Sequence, residues 1–185
     1  MPVYAYGKFV PRIDPSAYLF PSADVIGNVR IGAKVFVGAG AVIRGDYGEI
    51  DIDDGSAIEE NVTIHARISQ KTTICKNVTV GHAAMIHTCT IREGAVIGMK
   101  AVVSDFAEIG ENAIVAEGAV VKSKTKIAPG SIAAGVPAKE IGMAKPEQID
   151  FWQAAKLVYQ GLCRDYPKKL RLLEPSEYLK AEKTE

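Results

Sequence analysis

An aliphatic residue recurs at every sixth position through about two thirds of the 185-residue chain. A period of six fits neither the 3.6-residue period of a helix nor a long alternating strand. It is typical of a solenoid, in which each coil is stabilised by stacking on the next. The nineteen leading positions lie within residues 13–132 and are Ile13, Leu19, Val25, Ile31, Val37, Ile43, Ile52, Ile58, Ile64, Ile74, Val80, Ile86, Ile91, Ile97, Val103, Ile109, Val115, Val121 and Ile127. The sequence therefore predicts an all-β solenoid.

Small residues stand at fixed places between the leaders. A small or β-branched residue follows most leaders by four positions, as in Ala41, Val62 and Ala84. Glycine and asparagine, such as Asn112 and Gly118, lie between the leaders and tolerate the backbone angles of tight corners. We therefore expect thin coils with small side chains stacked inside them.

The period of six is broken at three places. The step from Ile43 to Ile52 is nine residues, that from Ile64 to Ile74 is ten, and that from Ile86 to Ile91 is five. Loops leave a solenoid at such breaks, and loops on a rigid scaffold often carry function. The breaks flank one polar cluster, which favours a functional site there, although tolerated surface insertions remain an alternative.

The repeat stops after Pro137, and a helix is predicted next. Pro146 and Pro167 are suited to its beginning and end. Apolar residues recur within it at steps of three and four, at Phe151, Ala155, Val158, Leu162 and Tyr166, with Trp152, Tyr159 and Cys163 widening that face. We expect this helix to pack against the solenoid. The predicted division is a β-helix domain at 1–142, with a lead-in at 1–12, and a helix with a frayed tail from Glu174 at 143–185.

Charge and cysteine content narrow the function classes. Lysine and arginine number 22 and aspartate and glutamate 22, so nothing indicates binding to nucleic acid or to a membrane surface. No signal peptide or membrane-spanning run is recognisable. The three cysteines are an odd number without paired spacing, which favours reduced thiols. We expect a cytoplasmic protein.

All three histidines lie between residues 65 and 87. Arg44, His65 and His87 each follow a leader directly, and those leaders are one full coil apart, so the three side chains are predicted to form an outward column. Strands are about 4.8 Å apart, and two nitrogens on one zinc ion are about 3.4 Å apart, so stacked histidines can converge on a metal. His82 follows its leader by two places and is expected around a corner. Asp46 lies near the column, where it could orient a ligand or pair with Arg44.

Four segments extend this pattern into a family resemblance. They are AVIRGDYGEI at 41–50, NVTIHA at 61–66, VGHAAMIH at 80–87 and AAGVPAKEI at 133–141. Together they resemble the gamma-class carbonic anhydrase family. The resemblance implies a left-handed parallel β-helix with three repeats per triangular coil, and hence about six coils here.

The resemblance also implies a metal site and an assembly. In that family two ligands come from one subunit and the third from its neighbour in a homotrimer, so His65, His82 and His87 would hold Zn²⁺, or Fe²⁺ or Co²⁺. The metal would produce hydroxide from a bound water at neutral pH, and the hydroxide would attack CO2 to give bicarbonate.

Several positions depart from the family pattern. Glu59 stands where glutamine is usual, and Ala57 where asparagine is usual, at positions that help to orient the water. Tyr47 follows Asp46, and the acidic loop that carries a proton shuttle is missing after His65. The resemblance makes Glu59, Arg44, Asp46 and Tyr47 the candidate catalytic residues, with Glu59 as acceptor or shuttle.

Three other functions remain open at this point. The chain could be a weakly active or non-catalytic metal-binding member of the family within an assembly. It could be a hexapeptide-repeat acyltransferase, which would use one histidine as a base. It could also be an acyl-CoA thioesterase.

Overall fold

The computed structural model describes residues 2–179. Short parallel strands stack into a left-handed parallel β-helix of about seven coils, with a triangular cross-section, and a long helix lies alongside it. Every pairing of the named strands is parallel except the last, in which β20 runs antiparallel to β19. The predicted fold class is therefore confirmed, and the stack continues beyond the last leader through β19.

Each side of the triangle is one ladder of strands. The first ladder, which we call the helix-covered face, consists of β3 (Tyr18–Leu19), β5 (Phe36–Val37), β7 (Ala57–Ile58), β10 (Thr79–Val80), β13 (Val96–Ile97), β16 (Ile114–Val115), β19 (Ser131–Ala134) and β20 (Lys139–Met143). The second, the histidine face, consists of β1 (Val3–Tyr4), the first halves of β4 (Asp24–Ile31) and β6 (Val42–Ile52), β8 (Thr63–His65), β11 (Met85–His87), β14 (Val102–Val103) and β17 (Val120–Val121). The third, the charged face, consists of β2 (Arg12–Ile13), the second halves of β4 and β6, β9 (Lys71–Ile74), β12 (Thr90–Ile91), β15 (Glu108–Ile109) and β18 (Lys126–Ile127).

The leading aliphatic residues fill the interior of the coils. Every leader from Leu19 to Ile127 is buried, and Ile13 is partly buried at the open end. The small residues four positions later are buried beside them, including Ala41, Val62 and Ala84. Asn112 and Gly118 turn corners with left-handed φ angles of 53° and 66°, and the predicted interior is thus confirmed.

The three breaks in the period have different structures. Between Ile64 and Ile74, residues 66–70 form the predicted loop from β8 to β9. Between Ile86 and Ile91 the chain turns at Thr88, whose φ is 46°. The loop predicted between Ile43 and Ile52 is wrong, because β6 runs unbroken around that corner and pairs with both β8 and β9.

The C-terminal helix α1 spans Pro146–Lys169, so Pro167 lies in its last turn instead of ending it. It packs on the helix-covered face, where Tyr159 and Tyr166 place their rings 5.2 and 5.6 Å from that of Phe36. Lys156 and Cys163 are buried in the same contact.

The helix face predicted to pack inward is partly wrong. Phe151 and Val158 are 65% and 62% exposed, although the period placed them inside. The aromatic contacts with Phe36 rotate the helix so that the stripe through Trp152, Tyr159 and Cys163 faces the sheet. Two adjacent stripes of this helix are apolar, and the period of the sequence alone does not show which of them packs against the sheet.

The remaining elements concern the chain ends. A short helix, α2, spans Pro175–Tyr178, where we expected a frayed tail, and the rest of that tail at 180–185 lies outside the described residues. Cys75, Cys89 and Cys163 are free thiols. Neither helix in residues 2–179 is long and apolar enough to cross a membrane.

Candidate metal centre

The predicted column of side chains is present on the histidine face. Arg44 on β6 pairs in register with His65 on β8, and His65 pairs with His87 on β11. Ile43, Ile64 and Ile86 point inward and are fully buried, so alternation along each strand turns the next residue outward. The leaders therefore fix the direction of the histidines.

The two histidines of the column face each other through ring nitrogens. His65 Nδ1 lies 3.1 Å from His87 Nε2, and the ring centroids are 5.1 Å apart. Both rings are partly buried, with 15% and 32% of their side-chain surfaces exposed. The pair is therefore partly shielded from solvent.

A carboxylate holds the outer nitrogen of each histidine. Asp46 Oδ1 lies 3.1 Å from His65 Nε2, and Asp105 Oδ1 lies 2.5 Å from His87 Nδ1. Arg44 donates to the second oxygen of Asp46 at 2.6 Å, and Arg67 donates to that of Asp105 at 2.9 Å. Each of the two histidines is therefore held by an aspartate, and each aspartate by an arginine.

This arrangement suits a cation between the rings. A carboxylate accepts the N–H of a neutral imidazole and leaves the other ring nitrogen as a lone-pair donor, as in many metal sites. Two such lone pairs at 3.1 Å repel each other unless a proton or a metal ion lies near both. Imidazole must be neutral to bind a metal, and burial lowers the pKa of His65 in that direction. His65 and His87 therefore fit a divalent metal.

The same contacts keep both aspartates ionised. Burial would raise the pKa of Asp46, but hydrogen bonds from Arg44 and His65 outweigh it and lower that pKa. Burial acts on Asp105 in the same way, and His87 and Arg67 lower its pKa. Both carboxylates can thus accept the imidazole N–H groups over the physiological pH range.

His82 lies with a different set of partners. Its Nε2 is 3.0 Å from Glu59 Oε2 and its Nδ1 is 2.7 Å from Glu60 Oε2, and 45% of its side chain is exposed. Within residues 2–179 of one chain, no three metal-binding side chains converge. The structure therefore brings together two of the three predicted ligands and not the third.

Glu59 is a buried acid beside His82. It is 6% exposed, accepts a hydrogen bond from the His82 backbone N–H at 3.2 Å, and lies against the Tyr159 hydroxyl. Burial raises the pKa of Glu59 above its ordinary value. Glu59 thus belongs to the His82 half of the predicted site, away from the histidine column of its own chain.

Tyr47 forms the outer wall of the column. Its ring lies edge-on to His65, with 6.0 Å between centroids, and the Arg44 guanidinium lies 5.8 Å from the ring centre. The side chain is 53% exposed. Tyr47 therefore borders the site without contacting the inward-facing nitrogens.

The sequence analysis missed Asp105 and Arg67. Asp105 follows the leader Val103 by two positions, and Val103 lies one coil beyond Ile86 in the same column. Counting one coil beyond Ile86 would therefore have placed Asp105 near His87. Arg67 lies in the loop after β8, and a loop has no repeat from which its side-chain position could be calculated.

Known proteins that resemble this chain are hexapeptide-repeat proteins, in agreement with its fold. The family model "Bacterial transferase hexapeptide (six repeats)" matches residues 88–123. A hexapeptide transferase family protein from Anaplasma phagocytophilum is 32% identical with a TM-score of 0.86, over 89% of this chain and 98% of that one.

Two curated proteins extend the likeness across most of the chain. Carnitine operon protein CaiE of Proteus sp. (strain LE138) is 33% identical over 162 residues, which are 88% of this chain and 82% of CaiE. Gamma carbonic anhydrase 2, mitochondrial, of Arabidopsis thaliana is 39% identical over 160 residues, which are 83% of this chain and 58% of that protein. The name of the Arabidopsis protein is that of the family that the sequence motifs resemble. The chain belongs to the hexapeptide-repeat family of gamma-carbonic-anhydrase-like proteins.

Proposed function

We propose that the protein is a metal-dependent carbonic anhydrase that interconverts CO2 and bicarbonate. The observation that carries this proposal is the pair of histidines whose inner nitrogens are 3.1 Å apart and whose outer nitrogens are each held by an aspartate. Such a pair is suited to a zinc ion, and Fe²⁺ or Co²⁺ would accept the same ligands. The Arabidopsis relative, named as a gamma carbonic anhydrase, supports the same reaction.

We further propose that three chains complete the site as a homotrimer. His65 and His87 would come from one subunit and His82 from a neighbour, since His82 does not join the column within one chain. The outward side chains of the histidine face support a subunit contact, because they include Val42, Val102, Val120 and the exposed Met85.

The other two faces of the triangle are already accounted for. The charged face carries ion pairs such as Arg30 with Asp51 and Arg92 with Glu108, as expected for a surface in water. Helix α1 covers the remaining face. The histidine face is therefore the side of the β-helix best suited to a second copy of the chain.

Each proposed residue has a definite task. A divalent cation bound by the three histidines would supply Lewis-acid chemistry, lowering the pKa of a water to about 7. Asp46 and Asp105 fix the ring orientations of His65 and His87. Glu59, whose pKa is raised by burial, would accept a proton and a hydrogen bond from the reacting water.

The outer residues would shape the entrance. Arg44 holds Asp46 in place, and Tyr47 borders the column beside the same arginine. CO2 and bicarbonate are the proposed substrates. We propose a cytoplasmic location, in agreement with three unpaired cysteines.

The deciding experiment measures metal content and CO2 hydration together. Protein purified without oxygen should contain about one metal ion per chain and accelerate hydration in a stopped-flow assay. His65→Ala and His87→Ala should lose metal while keeping the circular dichroism of the β-helix, because buried leaders hold the coils. Unchanged metal content in His65→Ala, His82→Ala and His87→Ala would overturn the site assignment.

An acyl transfer reaction is the second candidate. It is favoured by the family model and by the Anaplasma relative, both described as transferases. Turnover of acetyl-CoA, with or without an acceptor, would support a transferase or a thioesterase. Bound metal with neither activity would support a non-catalytic member of an assembly.

A further inference from the structure

The loop between β8 and β9 places a cationic side chain beside the histidine column. Arg67 is the second residue after His65. Its guanidinium donates through one nitrogen to Asp105 Oδ2 at 2.9 Å, and the other oxygen of Asp105 lies 2.5 Å from His87. One carboxylate therefore separates Arg67 from a proposed metal ligand.

The backbone of this loop is fixed from several sides. The Arg67 N–H donates to Thr88 Oγ1 at 2.8 Å, and the Gln70 N–H donates back to the Arg67 carbonyl at 3.0 Å. The Ser69 N–H donates to the Tyr47 carbonyl at 3.0 Å. The base of the Arg67 side chain is therefore held in place before any ligand arrives, which reduces the entropy lost on binding.

Most of the Arg67 guanidinium has no hydrogen-bond partner among residues 2–179. A guanidinium has five N–H donors, and Asp105 uses one nitrogen of Arg67. The side chain is 56% exposed. Planar anions with two oxygens are the ligands that this donor geometry matches best.

The charge of the cluster favours an anion as well. Arg44 and Arg67 balance the charges of Asp46 and Asp105, which they contact, and an imidazole that binds a metal is neutral. The four charged side chains of the column cancel, so a divalent cation held by the two histidines would make this side of the site positive, whereas the carboxylates of Glu59 and Glu60 lie beside His82. An anion would then be attracted to the exposed side, where Arg67 lies.

We propose that Arg67 forms an anion-binding site at the rim of the histidine column, and that its ligand is bicarbonate. The identity of the ligand rests on the proposed function, whereas the anion site itself rests on the loop geometry. An arginine cannot exchange protons near neutral pH, so the loop after His65 would attract the anion and not shuttle protons.

The test follows bicarbonate binding directly. Bicarbonate from a solution already at equilibrium with CO2 is titrated against the intact protein, with and without added Zn²⁺, and isothermal titration calorimetry measures binding. Arg67→Gln should weaken the affinity by at least about threefold, the size expected for one exposed ion pair. Arg67→Lys should restore part of the loss, because it keeps the charge and loses the planar donors.

A matched control separates a local effect from a general charge effect. Arg92→Gln removes a similarly exposed arginine from the charged face, where Arg92 pairs with Glu108, and should leave the affinity unchanged. Equal bicarbonate affinity in Arg67→Gln and the unaltered protein would overturn the inference, and so would equal losses in the two glutamine variants.

The two proposals can fail separately. If the protein binds no metal and hydrates no CO2 while Arg67 still determines bicarbonate binding, the proposed function is wrong and the anion site stands. If hydration occurs and Arg67→Gln binds bicarbonate normally, the anion site is wrong and the proposed function stands.

Discussion

At the scale of single residues, the proposed site depends on carboxylates as much as on histidines. Asp46 and Asp105 each contact the outer nitrogen of one ring and are each held by an arginine. A carboxylate in this position fixes the ring and makes the other nitrogen a better donor. Removing either acid should therefore affect metal binding without touching a ligand.

Asp105→Asn should weaken metal affinity by about 10- to 100-fold, the range typical for residues that orient a ligand. Competition with a chelator of known affinity measures the change. Asp53→Asn is the control, because Asp53 directly follows β6 and pairs with Arg30 on the charged face, and it should bind metal normally. If Asp105→Asn bound metal as tightly as the control, Asp105 would have only a structural role.

Glu59 should affect turnover more than metal binding. Glu59→Ala should lower the CO2 hydration rate by about 10²-fold if the carboxyl accepts a proton, with little loss of metal. Glu59→Gln introduces the residue usual at this position in the gamma-class family and should retain more activity than Glu59→Ala. Stopped-flow rates and metal content, measured on the same samples, decide between these outcomes. Equal rates for the unaltered protein, Glu59→Ala and Glu59→Gln would mean that Glu59 only contacts His82 and takes no part in the reaction.

At the scale of elements, the repeat period predicted which residues share a column. Arg44, His65 and His87 could be placed because the side-chain position depends on counting leaders alone. Arg67 and the rotation of α1 could not, because they depend on a loop and on contacts with Phe36 that have no repeat. The continuous course of β6 was missed for a related reason, since a strand can bend around a corner and absorb extra residues without forming a loop.

Helix α1 buries the ionisable side chain of Lys156 where it packs against the β-helix. Lys156 is 4% exposed, its amine donates to the Gly94 carbonyl at 2.5 Å, and burial lowers its pKa to about 8. The unfolded chain keeps a lysine pKa near 10.4. Folding therefore disfavours the charged amine, and the protein should become more stable as pH rises from about 8 to 10.5, where the folded form has released the proton and the unfolded form has not.

Lys156→Met should remove that pH dependence. At pH 7 the variant should be more stable by about 1–2 kcal/mol, because no charge is buried. The difference from the unaltered protein should shrink as pH rises to 10.5. Urea unfolding at several pH values measures it, with the exposed Lys168→Met as control. A constant difference between pH 7 and 10.5 would mean that Lys156 is equally charged in both states.

At the scale of the whole molecule, the proposed site requires more than one chain. The histidine column and the pair formed by His82 and Glu59 are two halves on separate parts of one subunit. A trimer with cyclic symmetry would bring the first half of each chain against the second half of its neighbour three times. Mixing two inactive variants tests this arrangement.

Chains with His82→Ala and chains with His65→Ala should be unfolded together in equal amounts and refolded. Each variant alone lacks a complete site. Six of the eight ordered cyclic trimers are mixed, and each has one interface at which both halves are intact, so about one quarter of the sites should return. Metal content and activity in trimers verified as mixed measure the recovery. A site contained within one chain would return none.

The position of the histidines within the stack affects the order in which parts of the β-helix open. The histidine face has seven rungs, and β8 and β11 are the fourth and fifth. Each coil is supported only by its neighbours, so opening begins at the ends, where one neighbour is missing. Amide hydrogens at Ile64 and Ile86 should therefore exchange with deuterium more slowly than those at Leu19 and Ile127. The column would be the last part of the β-helix to lose its shape, and a chain already frayed at both ends could still hold His65 and His87 side by side.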